Sequence, residues 1–462
     1  MNRGDSNRFV CASRRCLGLI VALACVACGG GIQTASPDGG VGPLLKLTVE
    51  ATGCAGSGSR AAVDVIIERM AALPGPIVVT VDSPPAFLSI APVTIDESNR
   101  GTIIIDVASD APPGTVHLTA SAEGASASFD VIVGTAAGSR DVSFGTSGIV
   151  KLPLVSPRFI ARQNDHLIVA VDDASGAKVM RLDANGATDP TFGGAGAAVL
   201  GRVMGALAVR SDGAILAATA LENECDPLTI LSKDGMTAVE VINKDVPCFG
   251  MGNFVVEGRD RSVFVGGYID NCCGFVARVR ADGTPDPTFG VAGQLDGYPL
   301  FINSAYSGAM LDDGRVVLGG YGAIQLVNPD GSTPIVPIGN QSINSYTAVA
   351  TWKDVIYGAG VTGKPTTGGK SFLAAYTTTG ATVATFGTNG IVDLPRARVL
   401  ATRRDGSLVA ATDGGIYEVS ALGELTYLPV PAAAAMTLDA CGRIVTARPE
   451  ATGEGTVARY WP

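Results

Sequence analysis

A Phe-Gly-x-x-Gly element recurs four times, at Ser143-Phe144-Gly145-Thr146-Ser147-Gly148, Thr191-Phe192-Gly193-Gly194-Ala195-Gly196, Thr288-Phe289-Gly290-Val291-Ala292-Gly293 and Thr385-Phe386-Gly387-Thr388-Asn389-Gly390. The phenylalanines are 48, 97 and 97 residues apart, so weaker copies lie between the later ones. A chain built on such a period folds by stacking like units, because one unit alone cannot bury its apolar face.

Two further markers keep the same beat. Tight-turn pairs stand at Asn185-Gly186, Asp234-Gly235, Asp282-Gly283, Asp330-Gly331, Thr379-Gly380 and Leu422-Gly423, at intervals of 49, 48, 48, 49 and 43 residues. Before each comes another pair: Asn164-Asp165, Asp212-Gly213, Asp260-Arg261, Asp313-Gly314, Lys353-Asp354, Asp405-Gly406, and finally Cys441-Gly442. Short β runs follow them, such as Ile215-Leu216-Ala217-Ala218 and Val316-Val317-Leu318. Asn-Gly and Asp-Gly between β runs mark hairpins in which both turn residues take positive φ. Each repeat therefore holds about four strands, and there are seven repeats, a size that suits a propeller blade. The expectation is an all-β chain in which residues 139–462 form a seven-bladed β-propeller. The last repeat, ending Val457-Ala458-Arg459-Tyr460-Trp461-Pro462, lacks the outer strand with the Phe-Gly element. The spare copy at 141–153 supplies it and closes the ring, which removes open sheet edges. An open β-solenoid is the rival and needs no such closure.

Residues 44–135 read differently. Alternating runs at 45–49, 62–67, 77–81, 102–107, 115–120 and 127–133 are broken by Gly, Pro and Asp. That pattern predicts a β-sandwich. The segment Ala111-Pro112-Pro113-Gly114-Thr115 resembles the entry to the late strands of bacterial immunoglobulin-like domains. Cys54 has no second cysteine within this unit. His117 lies in an alternating strand and reads as solvent-facing or at the core edge.

The stretches 183–196 and 281–293, the latter Ala-Asp-Gly-Thr-Pro-Asp-Pro-Thr-Phe-Gly-Val-Ala-Gly, resemble the delta-sixty repeat of deltaproteobacterial secreted proteins. The likeness is partial at Phe144 and Phe386. It implies a propeller-like array in exported proteins and carries over no catalytic residues.

The N-terminus carries an address. Arg14 and Arg15 precede the apolar run Leu17 to Ala27, which is too short to span a bilayer and suits a signal peptide. Val26-Ala27-Cys28-Gly29 resembles a bacterial lipobox, with residues 1–27 removed and Cys28 acylated. Cys25 is the competing acylation site, and a plain secretory peptide is the alternative. Ser13-Arg14-Arg15 faintly resembles a twin-arginine signal but lacks the usual aromatic after the pair. Gly29, rather than Asp, gives no inner-membrane retention signal, so an outer-membrane lipoprotein is expected. Residues 28–43 read as a flexible tether, and more than one acyl chain makes the anchorage stable.

Composition narrows the chemistry. With 2 histidines, His117 and His166, no multi-His metal site is available. A net charge of −10 argues against a nucleic-acid partner. There is no Gly-x-Ser-x-Gly elbow, no phosphate-binding Gly-Lys-Ser/Thr loop and no His-Glu-x-x-His. No cofactor is implied. The longer connections, opposite the tight turns, are the natural recognition loops. Among them Glu222, Glu224, Asp226 and Asp270 form a candidate Ca²⁺ or ligand loop, against the plainer reading of solvated charge. Export favours disulfides, and one or two are expected among Cys225, Cys248, Cys272 and Cys273, with pairing open.

Two functions remain. One is a monomeric, lipid-anchored envelope protein whose sandwich lifts a propeller away from the membrane for protein or glycan binding. The other is an extracytoplasmic hydrolase or lyase acting on a glycan or peptide. A purely structural surface protein is a third reading, and fold alone does not choose.

Overall fold

The computed structural model describes residues 45–462 apart from 51, 71–72, 154, 174–175, 201–203, 220–227, 242–250, 270–272, 298–299, 301, 334–337, 340–343 and 363–368. The segment expected to serve secretion and anchoring, with Cys25 and Cys28, lies outside these residues. So do Glu222, Glu224, Asp226, Asp270, Cys225, Cys248 and Cys272. The described chain is all-β, with one 3₁₀ turn at Phe192–Gly194. Among the described residues no helix is long and apolar enough to cross a membrane.

Residues 45–136 form two sheets. One holds Leu45–Glu50, Arg60–Arg69, Arg100–Val107 and Leu88–Ile90. The other holds Gly53–Ser57, Ala125–Ala136, Gly114–Ala122, Ile77–Val81 and Val93–Ile95. Alternation puts Val63, Val65, Ile103, Ile105, Leu118 and Val131 into one shared core. His117 is exposed and its Nδ1 lies 2.5 Å from Asp130 on the paired strand.

Among the described residues seven antiparallel sheets follow. The first to sixth span 156–199, 204–241, 251–296, 305–327, 344–393 and 397–428. The seventh takes Ala435–Leu438, Ile444–Pro449 and Gly455–Tyr460, with Ile149–Leu152 added at its outer edge. In that last pairing Ile149 faces Ala458 and Leu152 faces Gly455. The innermost strand of each sheet packs on that of the next, and that of the seventh on that of the first. An open solenoid has no such last contact.

The hairpin turns differ from expectation in one respect. In the turns that contain glycine only the glycine takes positive φ, as at Gly186, Gly235, Gly331 and Gly423, while Asn185, Asp234 and Asp330 do not; where glycine is missing, Asn164, Arg261 and Lys353 take it. The turn is a four-residue loop, closed by bonds such as Gly235 N–H to Ser232 O (2.8 Å) and Ser232 N–H to Thr237 O (2.9 Å). The Asp side chain earns its place by capping. Asp234 accepts from the Met236 amide, and Asp330 from the amide and hydroxyl of Ser332.

The two recurrent markers meet in space. The Phe-Gly element of one sheet lies under the turn glycine of the next. A Cβ on Gly235 would stand 2.6 Å from the Phe192 ring. Gly193 N–H bonds Asp234 O, Gly145 N–H bonds Asn185 O, and Gly387 N–H bonds Leu422 O, at 3.0, 2.7 and 2.7 Å. An arginine completes the latch in three sheets. Arg181 pairs with Asp189 at 2.7 Å, lies 4.9 Å over the Phe192 ring and donates to Lys233 O in the next turn. Arg459 does the same with Asp141, Phe144 and Ala184 O, and Arg278 bonds Asp286 and Pro329 O.

The sandwich is fastened to the ring. Cys54 forms a disulfide with Cys441, 387 residues later, in the first turn of the seventh sheet. Neither cysteine was in the expected bonding set, because spacing cannot relate residues that far apart. Gly56 N–H bonds Pro462 O at 3.1 Å, and Gly138 N–H bonds Trp461 O at 2.9 Å. The Trp461 indole occupies the space over Gly134, where a Cβ would fall 2.0 Å from the ring. Arg404 adds a 3.4 Å ion pair to Asp64. A sandwich held at this many points is a fixed attachment rather than a loose spacer.

Candidate functional site

The innermost strands of the first six sheets share an irregularity near their start. Each inserts one residue against its partner strand: Arg158, Gly205, Asn253, Tyr306, Thr347 and Arg398. A β-bulge leaves the extra residue out of the ladder and re-aims its side chain. These strands run side by side round the ring, so six re-aimed positions encircle its axis on the side opposite the tight turns. Arg158, Tyr306, Thr347 and Arg398 line a single cavity of about 570 Å³ there. Its volume lies within the usual range for ligand sites.

Two of the bulge side chains are spent on the scaffold. The Asn253 amide donates to Ala305 O at 3.0 Å, and the Thr347 hydroxyl to Ala397 O at 2.7 Å. Each ties its sheet to the first residue of the next innermost strand. The arginines face the cavity. Arg158 pairs with Asp172 at 2.9 Å and Arg398 with Asp413 at 2.6 Å. Arg396 joins them in the lining, and no described carboxylate pairs with it. Phe159 and Met204 supply apolar wall. Ser345 is 1 % exposed, and its hydroxyl has no hydrogen-bond partner among the described residues.

The charged groups lining this mouth among the described residues are the three arginines, in a chain whose net charge is −10. A two-carboxylate hydrolytic mechanism needs an acid and a base within the cavity, and no described Asp or Glu lines it. A second hollow of about 380 Å³ continues outward across the sixth and seventh sheets. It shares Arg398, Ala434 and Pro449 with the mouth and adds Arg448 together with Asp413 and Glu450, which pair with Arg398 and Arg448.

The residues expected from sequence as ligand, ion or disulfide sites lie, with one exception, outside the described residues. Cys273 alone of them is described, at the start of Cys273–Val279 and paired with Ile269. No cluster of three or more His, Cys, Asp or Glu side chains suited to a metal occurs among the described residues. The bulge residues escape sequence reasoning because their types differ from sheet to sheet. A register shift also belongs to two strands at once, not to a motif.

Fold and mouth together place the chain in the broad class of β-propeller proteins. A family model described as a domain of unknown function (DUF5122) beta-propeller matches residues 163–192 and 259–289. Both stretches end on the phenylalanine of a Phe-Gly element. No curated protein matches. Among solved structures, the chain is similar to PorZ, described as an essential bacterial surface component of the type-IX secretion system of Porphyromonas gingivalis. The identity is 12 % and the TM-score 0.38, over 87 % of this chain. The chain spans 64 % of the length of that structure. A protein of unknown function from Porphyromonas gingivalis W83 aligns at 14 % identity and TM-score 0.15, over 31 % of this chain and 67 % of its own.

Proposed function

We propose that the chain is a lipid-anchored binding protein of the bacterial cell envelope, acylated at Cys28. An immunoglobulin-like sandwich carries a seven-bladed β-propeller whose axial mouth is the recognition surface. The observation that carries the reading is the set of bulges. A regular scaffold repeats one irregularity six times among the described residues, and five residue types fill the six places, as Arg, Gly, Asn, Tyr, Thr and Arg. A purely structural ring has no use for that variety, whereas a recognition surface on a rigid frame does. The lipobox and tether supply the envelope address, and the close attachment of the sandwich presents the mouth in a fixed direction. Partners of this mouth are envelope glycans or proteins.

The test is retention of the purified protein on washed envelope material. Tyr306→Ala combined with Arg396→Ala should abolish retention while leaving the melting temperature within a few degrees. Val239→Thr, on the exposed outer strand Ala238–Val241, should not change it. Retention untouched by the double substitution refutes the mouth as the recognition surface.

A further inference from the structure

We infer that the axial mouth takes an acidic oligosaccharide, with a uronate carboxylate held by Arg396 between Arg158 and Arg398; this rests on the reading of the mouth as a binding surface. The charge is one-sided. Arg158 belongs to the first sheet and Arg396 and Arg398 adjoin or enter the sixth, so they flank the seventh from both sides. Tyr306 and Ser345 belong to the fourth and fifth sheets, the fifth packing directly on the sixth. The lining therefore divides into guanidinium groups and, on the sheets next to them, hydroxyls and an aromatic face.

That division matches a sugar acid. A carboxylate is recognised by guanidinium through paired, charge-assisted hydrogen bonds. Hydroxyl-bearing and aromatic side chains suit the rest of a pyranose ring, which has polar edges and apolar faces. Arg396 is the member of the three with no described carboxylate of its own, so its charge is free for a ligand. Ser345 adds a hydroxyl with no described partner. Length also favours an oligomer. The hollow over the sixth and seventh sheets runs on from the mouth through Arg398 and brings Arg448. Asp413 and Glu450 pair with Arg398 and Arg448 there, so this extension offers length and polar groups while Arg396 carries the unpaired charge. A neutral glycan would leave Arg396 desolvated beneath it without a counter-charge, which costs binding energy.

The experiment is calorimetric titration of the full mature protein with tetragalacturonate and, in parallel, with the neutral tetrasaccharide maltotetraose. The expected result is binding of the acidic oligomer only, weakened as salt rises, and weakened at least about 10-fold by Arg396→Ala, a step of about 1.4 kcal/mol. Arg396→Lys should keep the charge and recover part of the loss. Equal binding of the two oligomers, or acidic binding unaffected by Arg396→Ala, overturns the inference. So does failure of tetragalacturonate to compete with envelope retention that the mouth double substitution abolishes, and that outcome leaves the binding reading standing. Retention indifferent to the double substitution removes both.

Discussion

Three sheets of the ring and a fourth solve the same joint in different ways. In the first, third and seventh sheets the Phe-Gly element comes with an aspartate two residues before the Ser or Thr and an arginine on the third strand. Asp189 with Arg181, Asp286 with Arg278 and Asp141 with Arg459 are the pairs. Backbone bonds place Val383 and Ala375 at the same two positions of the fifth sheet, since Val383 N–H bonds Ala375 O as Asp189 N–H bonds Arg181 O. There the ion pair is gone, and the joint rests on aromatic packing, with Tyr357 against Phe386 at 5.7 Å as Phe264 lies against Phe289 in the third sheet. The aspartate and arginine change together, which is what a half-buried ion pair requires. Either member left alone is an uncompensated charge. The phenylalanine survives both solutions, so ring packing under the neighbouring turn is the common element and the ion pair is an addition to it.

The largest break in this comparison is Asp141→Ala. Asp141 is 1 % exposed and holds Arg443 at 2.7 Å and Arg459 at 2.9 Å. Its loss leaves two guanidinium groups without that carboxylate and should cost about 3–5 kcal/mol. Chemical denaturation followed at the seventh sheet would register it. A smaller effect separates two glycines. Gly235→Ala meets the Phe192 ring as well as its own positive φ, so about 2–4 kcal/mol is expected. Gly283 has φ of +88 but no atom closer than 3.9 Å, so Gly283→Ala should cost only about 1–2 kcal/mol. Equal denaturation midpoints for the two variants would remove the latch from the account.

Smaller still is Val383→Asp, which restores the aspartate without its arginine. It should destabilise by about 1 kcal/mol, and adding Ala375→Arg should recover part of that. A loss that the double substitution deepens would mean the fifth sheet is built for the aromatic arrangement alone.

The least change is in acid. The hydroxyl and amide of Thr191, then Arg181, hold Asp189 down to about 2. Burial pushes Asp141 up, but the Ser143 hydroxyl, Arg459 and Arg443 outweigh it and leave the carboxyl below its ordinary value. Native carboxylates with lowered pKa bind fewer protons than the unfolded chain. Their stabilisation is therefore complete above about pH 4 and is lost as pH falls towards 2. The two tryptophans report on the two solutions, Trp461 beside Arg443 and Trp352 in the fifth sheet. In single-tryptophan variants, emission from Trp461 should shift at a higher pH than emission from Trp352.

The same contrast separates what sequence could tell from what it could not. Turn glycines and Phe-Gly elements are local and periodic, so repeat length and strand order were legible in them. Their partnership was not, because Phe192 meets Gly235 across a gap that periodicity does not measure. The paired loss of Asp and Arg in the fifth sheet looks in sequence like simple decay of the motif. The six runs expected as strands in the sandwich do form strands, because alternation records which face is buried. Short Leu88–Ile90 and Val93–Ile95 carried too little pattern to be seen. The mouth was least legible of all, since its residues are defined by register rather than by type.

The pairing of Ile149–Leu152 with Gly455–Tyr460 also has a meaning in time. During synthesis the first of these strands emerges long before its partner. Until then its edge stands open, and the ring cannot shut. The Cys54–Cys441 bond waits on the same arrival. Completion of the fold is therefore deferred until the far strand is made, and a chain interrupted before that point exposes an unpaired strand edge to proteases and chaperones.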